Sequence, residues 1–267
     1  MLSKLDLPGT VWLASDLHLG PDSPETARAF LTFLSQARQH ASALLLGGDI
    51  FNVWVGDDLI QNPPSWLASL LSALAATGKD IPLYVCRGNR DFLIGHGLCK
   101  RIHATLLSDQ TVLMTDVGPV LFSHGDEYCT DDHAYQRFKT WVRRPWVQRI
   151  FLAFSLKQRM KWAGYARQRS MQANAWKPSD IMDVNPEAVL QAFDAARVDT
   201  MVHGHTHRAS IHHQTAKGRT LTRAVLPDWD FESPEKRGGW LEIDAEGLRL
   251  RTLADTYTGA RQAADTD

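Results

Sequence analysis

Seven side chains that can bind metal ions lie just beyond short apolar segments of the sequence. Each follows a segment typical of a buried β-strand, and together they offer carboxylate oxygens, one amide oxygen and imidazole nitrogens. In α/β proteins the loops at the carboxyl ends of neighbouring strands open onto one crevice, so side chains distant in sequence can meet there. The sequence therefore predicts a metal centre, and its candidate ligands are Asp16, His18, Asp49, Asn89, His124, His205 and His207.

The order of strand-like and helix-like segments predicts how these residues are positioned. Short apolar segments with β-branched residues alternate with segments of helical periodicity over the first half of the chain. This alternation is typical of sheets with helices packed on their faces, so we expect an α/β (α+β) fold. The predicted strands span residues 10–14, 43–46, 81–86, 111–115, 120–122 and 200–202.

Two helices and a hairpin complete this arrangement. Ser23 is placed to cap a helix that begins at Pro24, and apolar side chains then recur at helical spacing. A second helix is predicted over residues 66–76. Near the end of the chain, residues 239–243 and 248–253 flank a polar turn, which predicts a β-hairpin.

One basic segment, residues 133–179, interrupts the alternation of strands and helices. It holds eleven Lys and Arg residues and no Asp or Glu, whereas the whole chain has a net charge of −1. Helices are predicted over residues 135–142 and 146–174, with a break at Pro145. We interpret the segment as an insertion within a single domain of residues 1–267. It is either a solvated basic helix pair that covers the core or a surface for an anionic partner.

The composition excludes several classes of protein. With 44% hydrophobic and 22% charged residues, the chain is neither a disordered protein, a collagen-like fibre nor a disulfide miniprotein. No apolar segment approaches the ~20 residues of a membrane-spanning helix, and the start lacks the features of a signal peptide, so we expect a soluble protein that is not exported. The three cysteines form no paired motif, which favours reduced thiols in the cytoplasm. Residues 254–267 are predicted to be a frayed tail.

Five short motifs carry the predicted ligands, and in this order they resemble the signature motifs of the calcineurin-like metallophosphoesterases. The motifs are D-L-H (16–18), G-D (48–49), G-N-R-D (88–91), S-H-G-D (123–126) and G-H-T-H (204–207). Longer matches are similar to the UDP-2,3-diacylglucosamine diphosphatases of lipid A synthesis within that family. These are S-D-L-H-L, G-D-I-F-x-x-W-x-G-D-D, G-N-R-D-F-L and I-M-D-V-N, and the resemblance covers residues 10–253. It implies a four-layer α/β/β/α sandwich.

The resemblance also implies two metal ions with one shared ligand. Ion A is assigned to Asp16, His18, Asp49 and His207, and ion B to Asp49, Asn89, His124 and His205. A carboxylate such as that of Asp49 can bridge two cations because it has two oxygens. The resemblance favours two Mn²⁺ ions, and Zn²⁺ or Fe²⁺ remain alternatives for this set of oxygen and nitrogen donors. His203 alternates with His205 along the strand end and is predicted to be structural.

Arg90 departs from the wider family, in which many members have His at this position as an acid for the leaving group. A guanidinium stays charged and binds phosphate oxygens in a bidentate manner, so a substrate with a good leaving group is expected. Cleavage of a diphosphate meets this requirement, because the phosphate monoester that leaves has a second pKa of ~6. The resemblance implies catalytic roles for Asp49, Asn89, Arg90 and His124, and substrate contacts at Asn89, Arg90, Asp132, Ser170, Asn174, Lys177 and His205.

The predicted reaction is hydrolysis of the diphosphate bond of UDP-2,3-diacylglucosamine, with a hydroxide activated by two metal ions attacking the uridine-linked phosphorus. The products are UMP and 2,3-diacylglucosamine 1-phosphate. Two alternatives stay open: another two-metal phosphodiesterase acting on a nucleotide or nucleic acid, and a non-catalytic scaffold that binds a protein. Because acidic residues outnumber basic residues outside the insertion, we expect no nucleic acid partner. The sequence indicates no obligate protein partner.

The insertion also suggests a membrane partner. Its aromatic and aliphatic residues lie among Arg and Lys, which is the composition of a helix at an anionic membrane interface. We expect it to shelter the acyl chains and to dock the protein peripherally on the cytoplasmic face of the bacterial inner membrane. The predicted docking residues are Arg143, Arg144, Arg149, Trp141, Trp146 and Phe151.

Overall fold

Two six-stranded sheets dominate the computed structural model, which describes residues 2–174 and 183–253. In the first sheet the strand order is β12-β11-β2-β3-β4-β5, and β2 to β5 run parallel. Its strands are β2 (Val11–Ala14), β3 (Ala43–Leu46), β4 (Leu83–Val85), β5 (Ala104–Leu106), β11 (Gly239–Asp244) and β12 (Gly247–Thr252).

The second sheet has the order β1-β6-β7-β8-β10-β9 and mixes parallel with antiparallel pairs. Its strands are β1 (Ser3–Asp6), β6 (Gln110–Thr115), β7 (Gly118–Ser123), β8 (Thr200–His203), β9 (Ser210–Ala216) and β10 (Arg219–Val225). The helices are α1 (Pro24–His40), α2 (Ser65–Asp80), α3 (His96–Arg101), α4 (His133–Val142), α5 (Pro145–Leu152), α6 (Leu156–Asn174) and α7 (Pro186–Ala196).

Three hydrophobic clusters separate four layers of structure. Because successive strand residues point to opposite faces, Trp12 of β2 packs toward α1 and α2 while Leu13 packs between the two sheets. On the far side of the second sheet, Met201 packs with Phe193 of α7. The predicted α/β/β/α sandwich is confirmed.

Most predicted elements are present, and two predictions are corrected. The six predicted strands correspond to β2, β3, β4, β6, β7 and β8, and the hairpin is β11–β12. Helix α1 begins at Pro24 as predicted, but the Ser23 side chain does not cap it and instead accepts a hydrogen bond from Gly20 N at 2.8 Å. All three cysteines are buried and form no disulfide bond, as expected. The tail 254–267 lies outside the described residues.

The predicted helix over residues 146–174 is wrong in one respect, because it divides into α5 and α6. Ser155 and Gln158 form a reciprocal capping box between them. Ser155 Oγ accepts from Gln158 N at 3.4 Å, and Gln158 Oε1 accepts from Ser155 N at 3.1 Å. A new helix therefore starts at Leu156, and the S-L-K-Q sequence was the signal for it. None of the helices in residues 2–174 and 183–253 combines the length and apolar character needed to span a bilayer.

Candidate active site

The predicted ligands converge from both sheets on one edge of the sandwich. Loops after β2, β3 and β4 of the first sheet meet loops after β7 and β8 of the second. The residues delivered in this way are Asp16, His18, Asp49, Asn89, His124, His205 and His207.

Five of these seven residues have a left-handed backbone conformation, which side chains other than Gly rarely adopt. Such a conformation costs about 1–3 kcal/mol per residue and persists where the surrounding structure enforces it, as at functional sites. The φ angles are 55° at Asp16, 51° at His18, 51° at Asp49, 69° at His205 and 56° at His207.

Glycines in the motifs let the ligand loops approach one another. A Cβ atom added at Gly88 would collide with the backbone and carboxylate of Asp49. One added at Gly204 would collide with Ser15 and Asp16. The glycines of G-N-R-D and G-H-T-H are thus required by close packing between loops from different strands.

Asn89 lies at the centre of one group of ligands. Its Oδ1 atom is 3.0 Å from His124 Nε2 and 2.9 Å from His205 Nδ1. His124 Nε2 is also 3.8 Å from Asp49 Oδ1, and its other ring nitrogen contacts the Gly47 carbonyl oxygen at 2.9 Å. These contacts orient the two imidazoles toward a shared space beside Asp49.

A second group forms around Asp16. His207 Nε2 lies 3.3 Å from Asp16 Oδ1, and His18 Nε2 lies 3.5 Å from Asp49 Oδ2. Donor atoms of Asp16, His18 and His207 all lie within 4.8 Å of one another, and so do those of Asp16, Asp49 and His124. Asp16 thus takes part in both groups, while the resemblance assigns the bridging position to Asp49.

Two buried polar atoms that lack a hydrogen bond show that the site suits a cation. Asp16 Oδ1 and His18 Nε2 lie near His207 and Asp49, but neither atom makes a hydrogen bond within the part of the chain that the structure describes. A buried polar atom without a hydrogen bond is costly, and a divalent ion bound between these donors removes that cost. The donor set therefore fits a metal ion.

Buried charges also shift the pKa values of the ligands. Burial raises the pKa of Asp49. Burial alone would lower the pKa of His124, but the negative charges of Asp49 and Asp16 outweigh it and raise that pKa to about 9. A metal ion must displace this proton before it binds His124, so metal affinity is expected to fall as the pH falls.

Asp91, the last residue of G-N-R-D, holds two ligand loops together. Its buried carboxylate accepts hydrogen bonds from Gly88 N at 2.7 Å, Ile50 N at 2.7 Å and Asp49 N at 3.2 Å. Burial and the neighbouring charge of Asp49 raise the pKa of Asp91 to about 6. The residue positions Asp49 through its backbone.

His203 has a structural environment, as predicted from the sequence. Its Nδ1 contacts the Gly204 carbonyl oxygen at 2.8 Å, and its Nε2 lies 3.1 Å from Arg223 Nη1. Because a guanidinium only donates, His203 is neutral with its proton on Nδ1. Both ring nitrogens are engaged with the protein, so neither is free to bind a metal ion.

Arg90 reaches the metal-binding residues as predicted. Its backbone N–H donates to Asp49 Oδ1 at 2.8 Å, and its Nε lies 3.3 Å from Asp49 Oδ2. Its Nη1 donates to Asn52 Oδ1 at 3.1 Å. The guanidinium is thus held next to the ligand that the resemblance makes the bridge.

The family model for calcineurin-like phosphoesterases matches residues 9–209, which include every predicted ligand. This protein belongs to the calcineurin-like phosphoesterase family. The chain is also 52% identical to a UDP-2,3-diacylglucosamine hydrolase of Bordetella pertussis, over 95% of this chain and 99% of the relative. It is 40% identical to a UDP-2,3-diacylglucosamine hydrolase of Serratia proteamaculans, over 90% of this chain and 97% of the relative.

A solved structure of a cold-active protein tyrosine phosphatase mutant also matches this phosphoesterase. The identity is 11% and the TM-score is 0.46, with 95% of this chain and 82% of the other covered. This similarity is too low to bear on the site.

The predicted substrate contacts outside the ligand cluster lie in or next to helices α4 and α6, or outside the described residues. Asp132 caps α4, where its Oδ1 accepts from Tyr135 N at 3.1 Å. Ser170 is exposed on α6, and Asn174 is the last residue of that helix. Lys177 lies outside the described residues. The structure therefore brings Arg90 and His205 to the cluster of predicted ligands, whereas Asp132 lies at the start of α4 and Ser170 is exposed on α6.

Arg167 of α6 is a second arginine beside Arg90 that the sequence reasoning missed. Its Nη1 donates to the Asn52 carbonyl oxygen at 3.4 Å, and the Asn52 side chain accepts from Arg90. Burial and the neighbouring charge of Arg90 lower the pKa of Arg167. Its position three residues before Ser170, on the same helix, was the available signal.

The cap, defined as residues 133–174, is fixed to the body by one buried and one partly buried arginine. Arg159 is 2% exposed and donates to the Val55 carbonyl oxygen at 2.5 Å and to Asp58 Oδ1 at 3.0 Å. Arg143 donates to Asp109 Oδ2 at 2.8 Å and to the Gly88 carbonyl oxygen at 3.1 Å. The guanidinium of Arg143 is therefore bound within the protein, which argues against the predicted contact of Arg143 with a membrane.

Large apolar side chains remain exposed on the cap. Phe151 is not among them, because it is partly covered and packs against Trp162 with ring centroids 6.2 Å apart. Arg144 and Arg149 are exposed on the same part of the chain. The exposed apolar residues are Phe138, Trp141, Trp146, Ile150, Leu152, Phe154, Met160, Trp162 and Tyr165.

Proposed function

We propose that this phosphoesterase hydrolyses the diphosphate bond of UDP-2,3-diacylglucosamine in lipid A biosynthesis, giving UMP and 2,3-diacylglucosamine 1-phosphate. The observation that carries the proposal is the convergence of the complete ligand cluster with Arg90. This cluster occurs in a chain that matches UDP-2,3-diacylglucosamine hydrolases over nearly their whole length. The alternative of a nucleic acid phosphodiesterase is not favoured, because the relatives are named for a UDP-sugar.

The ligand cluster divides between two ions in the proposed mechanism. Asp49 would be shared, with Asp16, His18 and His207 on one side and Asn89, His124 and His205 on the other. A pair of bound divalent ions lowers the pKa of a shared water and offsets negative charge on a phosphoryl group. The cluster supplies oxygen and nitrogen donors, which suit Mn²⁺, and we propose two Mn²⁺ ions per chain.

Arg90 binds phosphoryl oxygens of the substrate. Its side chain stays charged at any working pH, so it attracts the substrate without taking part in proton transfer. Asp49 and Asn52 hold the guanidinium at the cluster, which reduces the entropy lost on binding. The leaving group is a phosphate monoester with a second pKa of ~6, so it departs without an acid. We propose attack on the uridine-linked phosphorus.

Further substrate contacts are proposed at Ser170 and Asn174 of the cap, and at Asp132 and Lys177 just outside it. The cap covers one side of the cluster, because Tyr135 of α4 stacks on His205 and Arg167 of α6 contacts Asn52. We also propose that the cap and the following residues to 179 are an insertion within a single domain.

The cap is the proposed surface for the lipid part of the substrate. Exposed Trp and Phe side chains beside Arg144 and Arg149 combine an apolar surface with positive charge, which suits acyl chains and anionic headgroups. Each methylene removed from water contributes about 0.8 kcal/mol, so partial burial of two acyl chains would dominate substrate affinity. We propose peripheral association with the cytoplasmic face of the inner membrane.

An assay of the purified protein tests the function. UMP release should be measured from UDP-2,3-diacylglucosamine, from its deacylated analogue and from a cyclic nucleotide. We expect turnover of the acylated substrate that EDTA abolishes and Mn²⁺ restores, with much lower kcat/KM for the other two. Efficient cyclic nucleotide hydrolysis with no UMP release from the acylated UDP-sugar would contradict the proposal.

A further inference from the structure

Helix α4 of the cap touches each of the three loops that carry the proposed ligands Asn89, His124 and His205. The Tyr135 ring lies over His205 in a stacked arrangement, with centroids 6.3 Å apart and an interplanar angle of 24°. At the other end of α4, Arg143 Nη2 donates to the carbonyl oxygen of Gly88, the residue before Asn89, at 3.1 Å. The third contact is made through Asp126, two residues after His124.

Asp126 is the point at which α4 is fixed. Its carboxylate is 1% exposed and accepts a hydrogen bond from the Tyr135 hydroxyl. Lys139 Nζ lies 2.9 Å from Asp126 Oδ2, and Arg143 Nη2 lies 3.8 Å from the same oxygen. Gln136 Nε2 donates to the Asp126 carbonyl oxygen at 2.8 Å. Three residues of one short helix, and the residue that follows it, therefore converge on one residue of the S-H-G-D motif.

Tyr135 connects this fixed point to His205. Its hydroxyl is held by Asp126, so its ring cannot turn away from the imidazole without breaking a buried hydrogen bond to a charged group. Metal-binding imidazoles are typically oriented by a protein group that contacts the ring but not the metal ion. Removal of that group weakens metal affinity by about 10–100-fold. His205 Nδ1 already points to Asn89 Oδ1 at 2.9 Å, and the Tyr135 ring covers its face.

We propose that Asp126 and Tyr135 form a positioning pair through which α4 sets the geometry of the second metal site, the one formed by Asn89, His124 and His205 with Asp49. The inference rests on the proposed metal ligands. Neither Asp126 nor Tyr135 binds the ion, and both act on it through His205 and its neighbours. The cap is therefore part of the metal site as well as a cover for the substrate.

The experiment measures Mn²⁺ binding to the metal-free protein rather than turnover. Isothermal titration and the electron paramagnetic resonance signal of a coupled Mn²⁺ pair should be recorded for the parent, for Tyr135→Phe and for Tyr135→Leu. We expect Tyr135→Phe to raise the Kd of the second ion about ten-fold while the first Kd is unchanged, and Tyr135→Leu to raise it further. Asp126→Asn should also weaken the second ion selectively, because it removes the ion pairs with Lys139 and Arg143.

Tyr84→Phe is the matched control. It removes the same hydroxyl from β4, where the Tyr84 hydroxyl makes no hydrogen bond to any described residue, so both Kd values should match those of the parent. Circular dichroism and thermal unfolding of the metal-free variants show whether each one is folded. If Tyr135→Phe binds two ions with the affinities of the parent, the proposed positioning pair is wrong and the two-ion site is unaffected. Fewer than two ions bound by the parent would contradict the two-ion site itself, and the pair with it.

Discussion

Arg90 contacts both carboxylate oxygens of Asp49, through its backbone N–H to Oδ1 at 2.8 Å and through its side-chain Nε, 3.3 Å from Oδ2. The guanidinium therefore sits at the ligand that the two proposed ions would share. We propose that a substrate phosphoryl group held at those ions contacts the remaining N–H groups of Arg90. This contact explains how the G-N-R-D motif can serve both ion binding and substrate binding.

Metal analysis of Asp49→Ala and Asp16→Ala should identify the bridging ligand. If Asp49 bridges, Asp49→Ala loses both ions and essentially all activity, while Asp16→Ala retains one ion. The geometry makes this comparison necessary, because Asp16 has donor atoms in both groups of converging ligands. Elemental analysis of the dialysed variants gives the stoichiometry. If Asp16→Ala loses both ions and Asp49→Ala does not, Asp16 is the bridging ligand.

We expect Arg167, which lies beside Arg90, to bind the second phosphate of the UDP-sugar. Arg167→Gln removes this charged donor and should therefore reduce kcat/KM for the UDP-sugar by about ten-fold to one-hundred-fold. Hydrolysis of bis(p-nitrophenyl) phosphate, which has a single phosphorus, should change much less. Arg169→Gln is the control, since Arg169 is exposed on the same helix. Equal losses on both substrates would mean that Arg167 does not act on the second phosphate.

Hydrolysis in ¹⁸O-labelled water should place the label in UMP. Attack on the uridine-linked phosphorus adds the solvent oxygen to that phosphorus, whereas attack on the other phosphorus adds it to the sugar phosphate. Mass spectrometry of both products after a single turnover distinguishes the two outcomes. Label found in 2,3-diacylglucosamine 1-phosphate would contradict the proposed direction of attack.

Reversal of charge at Arg144 and Arg149 should reduce sedimentation with anionic liposomes at low salt. The two side chains are exposed beside Trp141 and Trp146, so their attraction to the surface is screened as ionic strength rises. Trp141→Ser with Trp146→Ser should lower the binding that persists at high salt. A parent protein that does not sediment at low salt, with equal KM for acylated and deacylated substrate, would exclude a membrane role for the cap.

The contribution of His203 to the stability of the metal-free protein should fall as the pH drops from about 6.5 to about 4. Burial lowers the pKa of His203 to about 4, against an ordinary value of 6.5, so in this range the unfolded chain binds a proton that the folded chain does not. The contribution is fully present above pH 6.5 and amounts to about 3 kcal/mol. Urea unfolding in EDTA at pH 4.5 and 7.5 measures it. His203→Gln should show a smaller difference between the two pH values, and an unchanged difference would show that His203 is not the group responsible.

The convergence of the seven candidate ligands could be predicted because each belongs to a short local motif at a strand end, and strand ends are set by local apolar patterning. The same holds for the alternation of strands and helices, which predicted sheets with helices packed on their faces. The capping box at Ser155 was also local, so the division between α5 and α6 was available in the sequence.

Contacts between residues far apart in the sequence could not be predicted from the sequence alone. Arg143 and Arg159 look like solvated basic residues in a basic segment, yet both are bound inside the fold. No sequence motif marks Tyr135 as part of the site, because it contacts His205, 70 positions away, only in the folded protein. The sequence by itself determined which atoms can bind metal ions, because that depends on residue type and local strand ends. Only the tertiary structure decided which cap residues hold the site, because such pairings follow from how α4 and α6 pack on the two sheets.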